Sequence, residues 1–425
     1  MDLANPGGGA RYPAKNSLVD ALKQALQTPR AICWKRNELI EIALVVSLTA
    51  LAYTYVGYPL LIWALARCFP RTVHRESCEP RVAVIIVAHN EAARIGCKID
   101  TCMGVDYPKE KLRILVVSDG SGDATNEIVT SYAARGVTLL AFPTRRGKAA
   151  CLNDAVASCD EDIVVFTDSR QRLDPLAIRC LVENFADPSI GAASGELVFE
   201  THGATAFGDG VDAYWRYEKF IRQQESRFHS TVGVTGALYA LRRNCFRPIP
   251  ADTILDDVVI PMNVVMERKR VVFENRAWAF DTPSRDHIQE RVRKVRTIAG
   301  NYQLIVSHPR FFIPWRDSMF FQLISHKVLR LASPLFLLVL LVTNVILAPR
   351  GFLFQCLLAV QLLLYVLPAM GILWPVARRW RVVKLATAFL YLNWFAVLGF
   401  IEFSRNRNAH LWRSSQHSSE EDSQA

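Results

Sequence analysis

Long apolar runs without a charged residue constrain this chain more than any other feature. Residues 42–66 contain no Asp, Glu, Lys or Arg, and as a helix they are long enough to cross a bilayer core of about 30 Å. Three further uncharged runs follow, at residues 331–348, 351–377 and 385–401. One such run could be a buried core helix, but three in succession with basic linkers indicate membrane spans. We therefore predict an integral membrane protein with one N-terminal and three C-terminal transmembrane helices.

The distribution of Lys and Arg predicts which side of the membrane the long middle segment occupies. The connection before the last span is the most basic short loop, with Arg378, Arg379, Arg381 and Lys384, and such loops stay in the cytoplasm. Counting back two spans predicts a cytoplasmic middle segment, most simply at a bacterial inner membrane. Residues 1–37 also carry six Lys and Arg, so the side of the N-terminus stays open.

Composition argues against several classes of protein. Ten cysteines are scattered without a C-x-x-C pair, which argues against a zinc site or a disulfide framework. The first apolar run begins too late and is too long for a cleavable signal peptide. The net charge of +10 forms no compact basic stripe with interleaved aromatic residues. It favours attraction to lipid headgroups and anionic substrates, and we expect no nucleic-acid partner.

The segment between the spans alternates between strand-like and helical patterns. Apolar, β-rich runs lie at residues 81–89, 112–120, 137–142 and 162–168. Strands that are apolar throughout are typical of a parallel sheet with helices on both faces. Ligands of such sheets collect at the carboxyl ends of the strands. The polar residues expected at that edge are His89, Asn90, Glu91, Ser118, Asp119 and Asp168.

These patterns divide the chain into six segments. After the sheet, Phe and Trp mixed with a few charges at residues 309–327 predict a helix lying in the membrane interface. The predicted order is a partly disordered N-terminal segment (1–38), a transmembrane helix (39–69), a cytoplasmic α/β domain (80–308), the interfacial helix (309–327), three transmembrane helices (328–403) and a polar tail (404–425).

Two common phosphate-binding motifs are missing from the α/β segment. The turn after the first strand reads AHNEAARIG and lacks the G-x-G-x-x-G fingerprint, and RRGKAAC has the lysine of a phosphate loop without its remaining residues. This argues against a redox dinucleotide site and a P-loop.

Four charged features remain as candidates for chemistry. Asp119 after a buried strand is either part of a turn or an acceptor for a uracil N–H or a ribose hydroxyl. Lys148, at a helix start, is either solvated or a cation beside phosphate. Asp256 and Asp257 are either helix-start acids or a coupled pair, one of which has a pKa suited to a general base. The remaining feature is a pair of arginines one helical turn apart that could bind a diphosphate leaving group, Arg293 and Arg296.

Taken in chain order, these stretches resemble the family-2 glycosyltransferases, in particular the membrane-embedded branch with chitin-oligosaccharide, hyaluronan and cellulose synthases. VAVIIVAHNE is similar to the family's first strand and P-x-Y-N-E turn, with Ala88 for the proline and His89 for the aromatic residue. VVSDGSGDAT resembles V-D-D-G-S-x-D, with Asp119 at the second Asp and Ser118 at the first. RRGKAACLNDA, which contains Lys148, resembles the G-K-x-x-A-L-N turn.

The later motifs follow in the family's order. FTDSR occupies the place of the metal-binding D-x-D, SGEL follows where the family has its next strand, and VTGALYALRR matches the G-A-x-x-x-x-R-R stretch that borders the acceptor. LDD (255–257) lies at the T-E-D motif and RKVRT (293–297) at Q-x-x-R-W. In the last motif Arg296 is kept, while Arg293 stands for Gln and Thr297 for Trp.

The resemblance implies an α/β GT-A fold, a Rossmann-like nucleotide-diphospho-sugar transferase domain, and inverting transfer of a sugar from a UDP-sugar. It implies that Asp257 is the catalytic base, with Asp256 beside it, and that Asp168 holds Mg²⁺ or Mn²⁺. The nucleotide-sugar-binding residues that it implies are Ala88, His89, Glu91, Asp119, Lys148, Asp168, Arg293 and Arg296.

Arg170 is the departure with the largest chemical consequence, because it replaces the second Asp of D-x-D. A guanidinium has no lone pair to give to a metal. Either Asp168 holds the metal with few other protein ligands, as Mg²⁺ permits, or Arg170 neutralises diphosphate charge itself. We expect a metal site that is retained but more loosely held.

The predicted product is a cell-surface or extracellular polysaccharide, built by transfer to a saccharide acceptor. The alternative is transfer of a single sugar to a lipid-linked acceptor, because Thr297 replaces the Trp that stacks on the growing glycan in polymerising synthases. A non-catalytic nucleotide-sugar-binding subunit is the alternative from another class, and the retained Asp257 argues against it. The motifs do not encode the sugar, the linkage, the product length or any partner subunit.

Overall fold

The computed structural model describes residues 29–200, 208–282, 287–314, 318–374, 376–377 and 380–406. Most of the predicted N-terminal segment and polar tail, together with Arg378 and Arg379, lies outside the described residues.

Eight strands form one mixed sheet in the order β3-β2-β1-β4-β7-β6-β8-β5. Within it, β1, β2, β3 and β4 pair in parallel, β7 is antiparallel to β4 and β6, and β8 is parallel to β6 and antiparallel to β5. The bounds are β1 (Val82–Ala88), β2 (Leu112–Asp119), β3 (Val137–Phe142), β4 (Ile163–Asp168), β5 (Arg172–Leu173), β6 (Ile190–Phe199), β7 (Tyr239–Arg242) and β8 (Arg270–Asp281).

Helices cover the sheet and continue into the apolar segments. Their bounds are α1 (Pro29–Ala52), α2 (Tyr58–Cys68), α3 (Ala92–Met103), α4 (Thr125–Ser131), α5 (Lys148–Ala157), α6 (Ala177–Val182), α7 (Gly208–Phe228), α8 (Asp256–Met266), α9 (His287–Ser307), α10 (Phe320–Leu323), α11 (Leu329–Leu347), α12 (Phe352–Leu373) and α13 (Arg381–Arg405). Single 3₁₀ turns lie at Lys109–Lys111, Ala133–Arg135, Glu183–Ala186, Arg243–Cys245, Pro309–Phe312 and Ala348–Arg350, and π turns at Tyr53–Gly57 and Ile324–Val328.

The strand β1 is buried on both faces, as its apolar sequence predicts. All seven of its residues are buried. Because successive side chains alternate between the faces of a sheet, Ile85 and Val87 join one apolar cluster while Val84 and Ile86 join the other. The prediction of parallel strands covered on both faces is therefore confirmed for β1 to β4. The antiparallel strand β7 makes the sheet mixed.

Among the described residues, four helices are long and apolar enough to cross a membrane, as predicted. They are Asn37–Cys68, Phe320–Arg350, Phe352–Gly371 and Arg381–Arg405. The boundary predicted at residue 328 between an interfacial helix and a span is not a helix end. Pro309–Phe312 is a 3₁₀ turn, and the helix that begins at Phe320 continues through the π turn to Arg350. It continues because the polar side chain of His326 has buried partners there.

A glycine in α9 lets this helix pack closely against the residues that precede α8. Gly300 lies in the interior of α9, and a Cβ built there would approach Leu255 Cγ to 2.6 Å and Ile254 Cγ2 to 2.9 Å. Real Cβ atoms do not come this close, so the two elements touch only because residue 300 is glycine. This contact brings α9, with Arg293 and Arg296, next to Asp256 and Asp257.

We expect Gly300→Ala to destabilise the protein although alanine is the better helix former. Overpacking against Ile254 and Leu255 should cost about 1–3 kcal/mol. The matched control is Gly96→Ala in the interior of α3, where the added Cβ lies 3.5 Å or more from its neighbours and should stabilise by up to about 1 kcal/mol. Thermal unfolding midpoints in one detergent compare the two variants. A midpoint for Gly300→Ala at or above the wild-type value would contradict the packing argument.

Candidate functional site

Three neighbouring strands end at one edge of the sheet and bring polar side chains together. Ala88 of β1 is level with Ser118 of β2, and Val87 is level with Asp168 of β4. The gathering of strand ends predicted from the sequence is therefore present. Ala88 itself is fully buried.

The carboxylate of Asp119 is fully buried and holds the turn that precedes α5. Its Oδ1 accepts the backbone N–H of Arg146 at 2.7 Å, and its Oδ2 accepts that of Gly147 at 2.9 Å. His89 Nδ1 donates to the carbonyl oxygen of Asp119 at 2.7 Å. The structure thus gives Asp119 a part in shaping the site. Its predicted contact with a uracil or a ribose stays a prediction.

The turn after β1 is held against the turn after β2. Asn90 has a positive φ of 54° and accepts the Gly122 N–H through Oδ1 at 2.8 Å. The backbone N–H of Glu91 donates to Thr125 Oγ1 at 2.9 Å, and its carboxylate pairs with Arg94 at 3.4 Å. These bonds order the region of Glu91, whose predicted contact with the nucleotide-sugar is untested.

Lys148 is the cation at the centre of the site. Its Nζ lies 2.9 Å from Asp168 Oδ1 and 3.2 Å from Asp256 Oδ2. It therefore joins the first residue of α5 to the end of β4 and the start of α8. Burial lowers the pKa of Lys148, but Asp168 and Asp256 outweigh that effect and hold the pKa above its ordinary value.

A gap over Gly236 is bordered by charged groups from three elements. A Cβ built on Gly236 would lie 3.7 Å from Asp168 Oδ2, 3.7 Å from Asp257 Oδ2 and 3.8 Å from Lys148 Nζ. The absence of a side chain at residue 236 leaves this space between two carboxylate oxygens and an ammonium group. We call it the Gly236 gap.

Burial and neighbouring charge set the protonation of Asp257. Burial raises its pKa, the carboxylate of Asp256 raises it further, and Lys148 and Lys327 lower it, which leaves the pKa at about 6. Such a carboxylate is ionised at neutral pH but binds a proton readily, and this is the property of a general base.

Arg296 is close enough to the same carboxylates to respond to their charge. Burial lowers its pKa, while Asp256, Asp257 and Asp168 oppose that effect. The side chain of Arg293 is half-buried one turn earlier on α9, and its role in the site stays a prediction. Thr297 is exposed, and its hydroxyl donates to the carbonyl oxygen of Arg293 at 2.9 Å.

Arg170 pairs with a buried carboxylate on β8. Its guanidinium donates to Asp281 Oδ2 at 2.5 Å, and Gln171 Nε2 donates to the same oxygen at 3.0 Å. The charge of Arg170 is therefore largely compensated within the protein. Lys98, buried beneath the same loop, donates to Thr167 Oγ1 and to the carbonyl oxygen of Gln171, each at 2.7 Å.

Sequence reasoning missed three residues that shape the site. Gly236 provides the gap, Lys98 supports the loop of Asp168, and Tyr239 is fully buried with a pKa raised by burial and then by Asp256 and Asp257. The alternation of small and large residues in GALYAL is the signal that could have indicated Tyr239. Nothing local in the sequence indicates that Lys98 reaches Thr167, since the two are 69 positions apart.

Among the described residues, no group of three or more His, Cys, Asp and Glu side chains is placed to hold a metal ion. Protein ligands alone therefore do not complete a metal site in this part of the chain.

Comparison with known sequences identifies a domain within the chain. Residues 83–249 match Glycosyl transferase family 2. They form a family-2 glycosyltransferase domain. The match includes β1 to β4, Lys148, Asp168 and Gly236, and it ends before Asp256.

Curated relatives of this glycosyltransferase domain resemble only part of the chain. An N-acetylglucosaminyltransferase of Rhizobium sp. (strain N33) is 31% identical over 170 residues, which are 39% of this chain and 38% of that protein. A beta-monoglucosyldiacylglycerol synthase of Synechocystis sp. (strain ATCC 27184 / PCC 6803 / Kazusa) is 27% identical over 169 residues, 39% of this chain and 34% of that protein. The chain spans about a third of the length of these two relatives.

A solved structure shares the fold of this chain. It is a mannosyltransferase from Pyrobaculum calidifontis in complex with GDP-Man and Mn²⁺, with a TM-score of 0.65 and 23% identity over 86% of this chain and 99% of that one. The predicted α/β GT-A fold is thereby confirmed.

We expect Gly120→Ala to disrupt the turn that Asp119 holds. Gly120 has a φ of +65°, and an added Cβ would lie 2.6 Å from the backbone nitrogen of Arg145, so the turn must move or the protein must bear about 1–3 kcal/mol of strain. Gly122→Ala is the matched control, since nothing lies within 4 Å of its added Cβ. Thermal unfolding should show a lower midpoint for Gly120→Ala alone. Equal midpoints for the two variants would contradict this account of the turn.

Proposed function

We propose that this chain is an inverting membrane glycosyltransferase that moves a sugar from a UDP-sugar to a saccharide acceptor, for a cell-surface or extracellular polysaccharide. The observation that carries the proposal is the Gly236 gap, where Asp257, Asp168 and Lys148 face one space. A base and a cation that border one gap suit displacement at a sugar carbon, with a hydroxyl attacking and a diphosphate leaving.

Asp257 is the base in this proposal. Its pKa of about 6 allows it to take the proton of an acceptor hydroxyl as that oxygen attacks the anomeric carbon. Because attack and departure occur on opposite faces of the carbon, the configuration inverts. Asp256 keeps the pKa of Asp257 raised and accepts the ion pair of Lys148.

Lys148 and Arg296 stabilise the departing diphosphate. Lys148 is held by Asp168 and Asp256 before the substrate arrives, so it needs little reorganisation when negative charge develops on the leaving group. The N-terminus of α5, where Lys148 lies, adds to this stabilisation, because the helix dipole there favours an anion such as the diphosphate. Ala88, His89, Glu91, Asp119 and Arg293 are proposed to complete the nucleotide-sugar site at the strand ends and on α9.

The residues at the gap fit a divalent metal held partly by the substrate. Asp168 and Asp257 each present a carboxylate oxygen to the Gly236 gap, and Mg²⁺ and Mn²⁺ favour oxygen ligands. We propose Asp168 as the principal protein ligand, with diphosphate oxygens and water as the others. When bound, the metal would neutralise charge on the diphosphate.

The ion pair of Arg170 with Asp281 favours the metal over the alternative in which the guanidinium replaces it. The guanidinium of Arg170 is held against the buried carboxylate of Asp281, whereas the ammonium group of Lys148 already borders the Gly236 gap. If the guanidinium of Arg170 moved into the gap, the buried carboxylate of Asp281 would lose this ion pair. Breaking a buried ion pair is costly in free energy.

Transfer of a single sugar to a lipid-linked acceptor is the second candidate. One similar relative is named beta-monoglucosyldiacylglycerol synthase, whereas another is named N-acetylglucosaminyltransferase. Thr297 is exposed on α9 and offers no aromatic surface for a growing glycan. The length of the product separates the candidates. We further propose a bacterial inner membrane with the transferase domain in the cytoplasm, on the basis of the Lys and Arg in the last loop.

Release of UDP by the protein in lipid bilayers tests the proposal. The donors are UDP-N-acetylglucosamine, UDP-glucose, UDP-glucuronate and GDP-mannose, each with Mg²⁺, Mn²⁺ or EDTA. We expect release from one UDP-sugar, abolished by EDTA, and lowered by about 10²–10⁴-fold in Asp257→Asn because a general base contributes that much.

The control variant is Asp252→Asn, an exposed aspartate that precedes α8 and should release UDP at the wild-type rate. Binding of UDP without release from any donor would favour a non-catalytic subunit. UDP release that persists in EDTA would contradict the proposed requirement for a metal and would favour Arg170 as the group that replaces it.

The pH dependence of the rate should report Asp257. Its pKa of about 6 means that the rate should fall as the pH drops through 6, because the protonated carboxyl cannot accept a proton. Asp256→Asn removes the negative neighbour that raises the pKa of Asp257. The acid limb of the pH–rate profile should therefore move to lower pH, whatever the maximal rate of the variant is. Steady-state rates between pH 4.5 and 8 measure it, and an acid limb that stays in place would argue against Asp257 as the base.

A further inference from the structure

A buried polar cluster lies where α7 packs against two of the apolar helices. Glu225 of α7 is fully buried, and its Oε1 accepts the hydroxyl of Tyr58 at 2.5 Å and Nδ1 of His326 at 2.8 Å. Its Oε2 accepts the backbone N–H of Val232 at 3.3 Å. One carboxylate thus connects α7, the helix Asn37–Cys68, the helix Phe320–Arg350 and the loop after α7.

The cluster is fixed from its other side as well. His326 Nε2 lies 3.1 Å from Glu218 Oε2, and Arg330 donates to Glu218 Oε1. The imidazole of His326 thus lies between the carboxylates of Glu225 and Glu218, with one ring nitrogen within hydrogen-bond distance of each. Buried charges of this kind are retained only with their partners in place, and His326 therefore has one well-defined position.

From Glu225 the bonds lead to the backbone of Asp257. The loop of residues 231–234 follows α7, and Val234 N–H donates to the carbonyl oxygen of Asp257 at 2.8 Å. Gly233 has a φ of +87°, and a Cβ there would lie 3.2 Å from the same carbonyl oxygen. Thr231 Oγ1 donates to the Gly233 carbonyl oxygen at 2.8 Å and braces the turn. The loop is thus held by Glu225 at one end and holds Asp257 at the other.

We propose that Glu225 is a positioning residue for Asp257: it fixes the loop 231–234, and through Tyr58 and His326 it makes the position of that loop depend on two apolar helices. The catalytic part of this inference rests on the proposed role of Asp257 as the base. Asp119, Lys148 and Asp168 lie on other elements, so loosening the loop misplaces the base while leaving the donor contacts in place. The transferase thereby responds to how its apolar helices are packed.

The test compares two variants that weaken this connection with one that does not. Glu225→Gln removes the charge, and Tyr58→Phe removes one hydroxyl that donates to Glu225. Tyr217→Phe is the matched control, because Tyr217 also joins α7 to the helix Asn37–Cys68, through a hydroxyl that donates to the carbonyl oxygen of Tyr55 at 2.9 Å, and makes no bond to Glu225 in the described structure.

Each protein is studied in lipid nanodiscs by two measurements. Hydrogen–deuterium exchange of the peptide that contains residues 231–236 reports the loop without any need for activity. UDP release gives kcat and KM for the donor. We expect faster exchange and a kcat lower by about tenfold in Glu225→Gln and Tyr58→Phe, since each loses a hydrogen bond of a charged group, with KM within about twofold of wild type. Tyr217→Phe should match wild type in both.

Unchanged exchange in Glu225→Gln and Tyr58→Phe would overturn the proposal, and so would an equal effect of Tyr217→Phe, which would indicate general loss of packing. A rise in KM with kcat unchanged would also overturn it. If Asp257→Asn releases UDP at the wild-type rate, the base assignment of the proposed function fails, while the exchange data still decide whether Glu225 fixes the loop.

Discussion

The ion pairs of Lys148 hold the candidate site together. Its ammonium group lies between Asp168 at the end of β4 and Asp256 at the start of α8, elements that are distant in sequence. Partly buried carboxylates on facing elements repel one another unless a cation lies between them. The same cation lies beside the Gly236 gap, so the residue that lets these elements approach is also the one that the proposed function assigns to a diphosphate.

The sequence predicts the strand ends well because a parallel sheet brings them together by its own geometry. An apolar strand followed by Asp119 or Asp168 specifies both the element and the edge at which the side chain lies. The start of α8 was also predictable, since Asp256 and Asp257 follow the apolar Ile254 and Leu255. For Asp119 the sequence left a turn and a nucleotide contact open. The structure shows its oxygens accepting two backbone N–H groups of a turn, and the nucleotide contact stays a prediction.

The features that escaped prediction depend on contacts between distant elements. Gly236 matters because it places no Cβ between Asp168 and Asp257. The local sequence GALY does not indicate that this glycine leaves a gap between them. His326 and Glu225 are 101 positions apart, and the sequence shows only a polar SHK interruption ahead of an apolar run. Phe and Trp mixed with a few charges predicted an interfacial helix over residues 309–327. Because the partners of His326 lie on α7, the helix can continue through it.

The balance of charge at the gap argues for a cation from outside the chain. Asp168, Asp256 and Asp257 are opposed by Lys148, by Lys327, which lowers the pKa of Asp257, and by Arg296, whose pKa responds to all three carboxylates. A diphosphate adds further negative charge to a partly desolvated space, where unpaired charge is costly. Arg170 is the nearest candidate in the sequence to compensate it, but it is paired with Asp281. Arg170, at the position of the second Asp of D-x-D, therefore supplies no cation to the gap, and under the proposed function a divalent metal shared with the substrate would balance the charge.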